Sequence, residues 1–187
     1  MKYISTRNNK KTYNFIDTFL NGLAHDGGLY IPKKIPRLSK ATLKRLSKLN
    51  YNDLAYEIIK IYTGNAFSKN ELKKIIKNSY KKFDSNNVIK FSRVKKFNLV
   101  ELYHGPTLAF KDIAMQVIGN MYETILSKSK NKVNLVTATS GDTGAAAIDA
   151  VKNKKNLRIF VLHPKGKVSV TQRKLMTTVN SKNVFNI

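Results

Sequence analysis

The 187-residue sequence contains no cysteine. Disulfides and thiolate metal sites are therefore excluded, and the histidines, His25, His104 and His163, are too dispersed to suggest a metal site in their place. Acidic residues are scarce: 11 Asp and Glu face 35 Lys and Arg, for a formal net charge of +24. No apolar run approaches membrane-spanning length, and the basic start from Met1 to Arg7 has no apolar stretch behind it of the kind a secretory signal requires. These absences lead to the expectation of a soluble cytoplasmic protein. No internal repeat or low-complexity segment stands out beyond lysine-rich helix faces.

A charge of this size raises binding to nucleic acid or to an anionic membrane. Its distribution argues otherwise. The lysines are scattered along the chain and over several of the expected helices, arginines are few, and no stripe of alternating basic and aromatic residues or known nucleic-acid module is present. Plentiful Lys, Asn and Ile point to a compositional bias of the source. A positive field would still attract small phosphorylated molecules and would promote non-specific binding to polyanions.

The pattern of apolar residues changes near residue 85. Before it, Ser39 to Leu49, Asn52 to Thr63 and Ser68 to Lys82 read as amphipathic helices, the last opening with the capping-box pattern Ser68-Lys69-Asn70-Glu71. Asp84-Ser85-Asn86-Asn87 is a polar linker candidate. After it the expected order is strand, loop, helix, strand, loop, helix, a strand at Leu157 to Leu162 and a helix from about Val168 to Val179. Alternation of this kind predicts an α/β fold, a parallel sheet flanked by helices, with ligands at the carboxyl ends of the strands. Two regions follow: a mainly helical region 1–85 and the start of an α/β core at 86–187. The last residues, Asn183 to Ile187, read as a strand entering the sheet, so the core is expected to be truncated.

One lysine stands apart, in the run His104-Gly105-Pro106-Thr107-Leu108-Ala109-Phe110-Lys111-Asp112. A turn containing Gly105 and Pro106 leads into the apolar, helix-length stretch Ile113 to Leu126, which puts Lys111 at a helix N-terminus. The helix dipole and apolar neighbours both favour a neutral amine there, the form that attacks an aldehyde. The plainer reading is a lysine that buries its stem and reaches for water. A second segment, Thr139-Ser140-Gly141-Asp142-Thr143-Gly144, joins the apolar run Val133 to Ala138 to the helix-like run Ala145 to Val151. Its glycines allow close backbone approach, and the hydroxyls of Ser140 and Thr143 and the first helix amides converge, so the loop is suited to an anion. It has neither the Gly-Lys-Ser/Thr ending of a Walker loop nor Gly-x-Gly-x-x-Gly spacing. Alone it is an ordinary strand-to-helix turn.

Together these segments resemble the threonine synthases. The run His104 to Asp112 is similar to that family's pyridoxal-phosphate lysine segment, and Ser140 to Gly144 to its substrate loop. Gly22-Leu23-Ala24-His25-Asp26-Gly27-Gly28-Leu29-Tyr30-Ile31-Pro32 resembles the N-terminal signature, and Pro164-Lys165-Gly166-Lys167-Val168-Ser169 with Gln172 the segment after the second core strand. Four collinear matches span nearly the whole chain. Threonine synthases are much longer, and the resemblance places their phosphate-binding glycine loop beyond Ile187.

The resemblance implies a lyase that converts O-phospho-L-homoserine and water to L-threonine and phosphate with pyridoxal 5'-phosphate. Lys111 would hold the cofactor and, once freed, move protons on the substrate. Ser140, Gly141 and Thr143 would donate to the substrate's α-carboxylate. Asp142 would face either the cofactor's phenolic oxygen or the imine nitrogen; as an equal alternative it caps the following helix. Phe110 is expected to wall the cofactor and Asp112 to stabilise the helix start. Other readings are a different pyridoxal-phosphate lyase of the same fold and a non-catalytic, polyanion-binding basic fragment.

Overall fold

The computed structural model describes every residue except 85–87, 130 and 140. The chain divides into two compact units, Met1–Ile76 and Lys77–Ile187. Most of the polar stretch in which the sequence places the change of organisation, residues 85–87, lies outside the described residues.

In the first unit, β1 (Tyr3–Ser5) pairs antiparallel with β2 (Tyr30–Pro32), Tyr3 opposite Pro32 and Ser5 opposite Tyr30. Helices α1 (Phe15–Asn21), α2 (Lys40–Leu46), α3 (Tyr51–Thr63) and α4 (Lys69–Tyr80), which runs past the unit's end, complete the order. Each start is fixed by a side chain that accepts one of the helix's orphan amides. Asn14 accepts from Asp17, Ser39 from Thr42 and Asn50 from Asp53. At α4 the capping box read from the sequence is present: the Ser68 amide donates to Glu71 Oε2 at 2.8 Å and the Glu71 amide to Ser68 Oγ at 3.3 Å. Leu72, Ile75 and Ile76 form its buried stripe. The region is mainly helical, as read, and the strand pair is an addition to it, because three-residue strands are too short to display an alternating pattern.

The second unit opens with a hairpin, β3 (Lys90–Val94) and β4 (Phe97–Glu101), where the sequence suggested a single strand. Its turn is Lys95-Lys96, with Lys95 at φ 53°, and no Asn-Gly or Gly-rich pair marks it. There follow α5 (Lys111–Ser129), β5 (Val133–Ala138), α6 (Asp142–Val151), β6 (Leu157–Leu162), α7 (Val170–Thr177) and β7 (Val184–Asn186). β5, β6 and β7 make a parallel sheet in chain order, with Val136 opposite Phe160 and Phe160 opposite Phe185. One face packs on the helices, with Leu126, Ile148, Val151 and Met176 against Leu157, Ile159 and Val161. Its other face carries Val136, Leu162 and the stacked rings of Phe160 and Phe185, 4.8 Å between centroids.

Candidate functional site

Lys111 is the first residue of α5, and the loop before it is shaped by the residue after it. Asp112 is fully buried. Its carboxylate takes the Thr107 amide at 2.8 Å on one oxygen and the Thr107 hydroxyl at 2.7 Å on the other. A Cβ at position 105 would stand 2.5 Å from Asp112 Cβ, so glycine there is what lets the loop close over the carboxylate. The amide of Leu108 donates to Gly105 and that of Asp112 to Ala109, while Leu108 takes a left-handed φ of 58°. The sequence marks Asp112 only as a helix-start residue; in the fold it is the clamp of the lysine loop.

The clamp leaves Lys111 half-buried with its ammonium 4.6 Å from the centroid of the Phe110 ring. Among the described residues no carboxylate pairs with it. An ammonium over an aromatic face is held weakly compared with one in a buried ion pair, so the amine is available for exchange of partners. Phe110 itself is largely exposed. His104, at the other end of the loop, bonds Glu101 of β4 at 2.9 Å and so ties the hairpin to the lysine segment.

The second motif joins β5 to α6. Ser140 lies outside the described residues. Gly141, read from the sequence as a donor to an anion, turns its amide instead to Thr139 Oγ1 at 3.2 Å, and the Gly144 amide shares that oxygen at 3.2 Å. Among the described residues no acceptor meets the amides of Asp142 and Thr143, which are the orphan amides of this helix start. Gly144 has no room for a side chain, since a Cβ would stand 2.5 Å from Thr139 Cγ2 and 2.6 Å from Met176 Sδ. Asp142 is exposed, and the helix cap is Gly141, with no side-chain capping bond. The Asp142 carboxylate instead accepts from Gln172 Nε2 at 2.6 Å.

Side-chain contacts between α5 and α6 bring the two motifs to one end of the sheet. Gln116 donates to Asp149 at 2.8 Å, a Cβ on Gly119 would touch Ala150, and the ammonium of Lys154, just past α6, donates to Asn120 at 2.9 Å. These pairs advance in the same direction on both segments, so α5 and α6 run parallel and their N-termini share an end. That end is the carboxyl edge of the sheet, where Ala138, Thr139, Leu162, His163, Pro164 and Ile187 line a cleft of about 500 Å³. Position relative to the strands is as expected for an α/β site.

Asp149 sits between the helices among cations. Burial pushes its carboxyl up, but the hydrogen bond from Lys152, the charge of Lys82 and the amide of Gln116 outweigh it and leave the group below the usual carboxylate range. Neither Gln116 nor Asp149 was singled out in the sequence; the available signal is a pair of polar residues on otherwise apolar helices. Lys165 and Lys167 are exposed, as a solvated turn would be. Among the described residues no group of three or more acidic or histidine side chains could hold a metal ion.

The family model for the N terminus of threonine synthase matches residues 2–80. Threonine synthase of Pseudomonas aeruginosa is 39% identical over 188 residues, covering 100% of this chain and 40% of that protein. Yeast threonine synthase superposes with a TM-score of 0.93 at 40% identity, and PLP-bound threonine synthase of Brucella melitensis with 0.92 at 36% identity. Each superposition covers all of this chain and 40% of the other. The chain spans about 40% of the length of these relatives and is similar, over its whole length, to the N-terminal portion of threonine synthases.

Proposed function

We propose that the chain supplies the lysine-bearing half of a threonine synthase site, for conversion of O-phospho-L-homoserine and water to L-threonine and phosphate. The observation that carries the reading is the placement of Lys111: it starts a helix, its loop is locked by Asp112, and no carboxylate among the described residues claims its ammonium. Such an amine fits the aldehyde of pyridoxal 5'-phosphate, and the binding of that cofactor by the Brucella melitensis relative supports it. When bound, the cofactor supplies the electron sink that makes hydrogens on the substrate's Cα and Cβ acidic.

This chain's own residues bind and move protons. Lys111 would hold the cofactor, and its amine, when free, would take the proton from the substrate's Cα and the next from Cβ. One side chain can serve both carbons because they are bonded neighbours and a lysine stem is flexible. The amides of Asp142 and Thr143, together with the Thr143 hydroxyl and Ser140, would hold the α-carboxylate at the start of α6. Fixing that carboxylate would set the orientation of Cα for proton transfer to Lys111. Loss of phosphate from Cγ and entry of water at Cβ complete the stoichiometry.

The test is chemical labelling. The chain mixed with pyridoxal phosphate and reduced with borohydride is expected to carry the pyridoxyl mass on the peptide that contains Lys111, and Lys111→Ala to lose it. Labelling spread over the exposed lysines in both proteins would overturn the assignment.

A further inference from the structure

We propose that Gln172 is a positioning residue for the start of α6: it draws the Asp142 carboxylate toward α7 and keeps the amides of Asp142 and Thr143 open to the carboxylate of an amino-acid substrate. The inference rests on the reading of residues 140–144 as a substrate loop. It begins from a conflict. An acidic side chain at the first turn of a helix is stabilised by the same dipole and the same unpaired amides that would attract an anionic ligand. Left to itself, Asp142 would compete with that ligand or repel it.

Around Gln172 the fold removes the conflict. Its side-chain nitrogen donates to Asp142 Oδ1 at 2.6 Å, and its side-chain oxygen accepts from the Ser169 hydroxyl at 3.1 Å. A carboxylate only accepts, so the orientation of the amide is fixed by its two partners. Ser169 also caps α7 by accepting the Gln172 backbone amide at 3.2 Å, which anchors both ends of the residue. Space for the amide comes from Gly141: a Cβ there would stand 2.5 Å from the Gln172 amide carbon and 2.6 Å from its nitrogen and oxygen. Thr139 meanwhile occupies the amides of Gly141 and Gly144. What is left unpaired at this helix start, among the described residues, is the amide pair at positions 142 and 143. Gln172 is half-buried and makes no contact of its own with those amides, so its action on a ligand runs through Asp142.

Amide NMR of the 15N-labelled chain reads this directly. The titrant is inorganic phosphate at constant ionic strength, a probe that needs neither cofactor nor turnover. In the wild-type chain the Asp142 and Thr143 signals are expected to shift and saturate. Gln172→Ala should weaken that binding roughly tenfold, the scale of one lost hydrogen bond to a charged group. Gln172→Ala combined with Asp142→Ala should recover most of it, an outcome that simple loss of α7 packing would not produce. The proposal is overturned if the wild-type signals do not saturate, if Gln172→Ala binds as the wild type does, or if the double variant binds no better than Gln172→Ala. Failure of borohydride labelling at Lys111 would remove the enzymatic reading on which the word substrate rests; the phosphate titration tests the latch separately from it.

Discussion

Gly119 of α5 faces the carbonyl of Ala150 in α6 so closely that a Cβ on it would stand 2.5 Å from the oxygen. A backbone oxygen cannot move aside as a side-chain tip can. Gly119→Ala is therefore expected to push the helices apart and to lower stability by about 1–3 kcal/mol, the usual cost of overpacking, despite alanine's better helix propensity. Urea unfolding checks the magnitude. Because the same contact sets the spacing of the two helix starts, borohydride labelling of Lys111 should also become less selective, while a stabilised Gly119→Ala would show that the close approach is dispensable.

The lysine loop makes a second prediction. Asp112→Ala would leave the part-buried amide and hydroxyl of Thr107 without their acceptor, at a cost of about 1 kcal/mol for each group that water does not reach. Asp112→Asn retains one acceptor oxygen and should cost less. In both variants hydrogen exchange of the Thr107 amide is expected to accelerate more than that of the α5 interior. Uniform acceleration along α5 would mean that Asp112 supports the helix as a whole and not the loop.

Much of this arrangement was legible in the sequence, and the exceptions share a cause. The β5–α6–β6 unit was plain because Val133 to Ala138 and Leu157 to Leu162 are apolar runs of strand length separated by a glycine-bearing loop and a helix. Lys111 was singled out because its apolar setting set it apart from a lysine-rich background, and the structure puts it at the first position of α5, where the sequence placed it. The Lys95-Lys96 hairpin was missed because a left-handed lysine carries no turn signature. The bond from the Gly141 amide to Thr139 Oγ1 was not read from the sequence, because nothing in local pattern says which hydroxyl of a loop turns back on its own backbone. Gln116 with Asp149, and Gln172 with Asp142, lie 33 and 30 residues apart, and pairing at that distance is fixed by helix packing and not by local pattern.

Acid should destabilise the second unit through Asp149. Its folded pKa lies below the unfolded one, so its contribution is complete above the unfolded value and is lost as pH falls through the folded value. With an ordinary aspartate near about 3.9, the loss begins below roughly pH 5 and continues downward. Asp149→Asn removes this dependence while keeping a hydrogen-bond partner for Gln116. Thermal unfolding from pH 7 to pH 3 is expected to show a shallower decline for the variant; parallel curves would assign the acid sensitivity to other carboxylates.

The sheet face opposite the helices supplies the last prediction. Parallel sheets bury both faces as a rule, and apolar residues on an uncovered face remain available to any apolar surface. Here Val136 is 70% exposed, and Leu162 and Phe185 are each 40% exposed, beside the Phe160 ring. Within the second unit, the described helices α5, α6 and α7 pack on the opposite face. The 187-residue chain is therefore expected to bind an apolar fluorescent dye in its folded state and to associate at high concentration despite its charge of +24, because short-range apolar contact survives when salt screens the repulsion. Val136→Thr with Phe185→Ser should reduce dye binding and self-association and leave the unfolding midpoint nearly unchanged, since both side chains lie outside the buried cluster. Dye binding that persists undiminished in this variant would locate the sticky surface elsewhere, and the exposed hairpin residues Phe91 and Phe97 would be the next pair to replace.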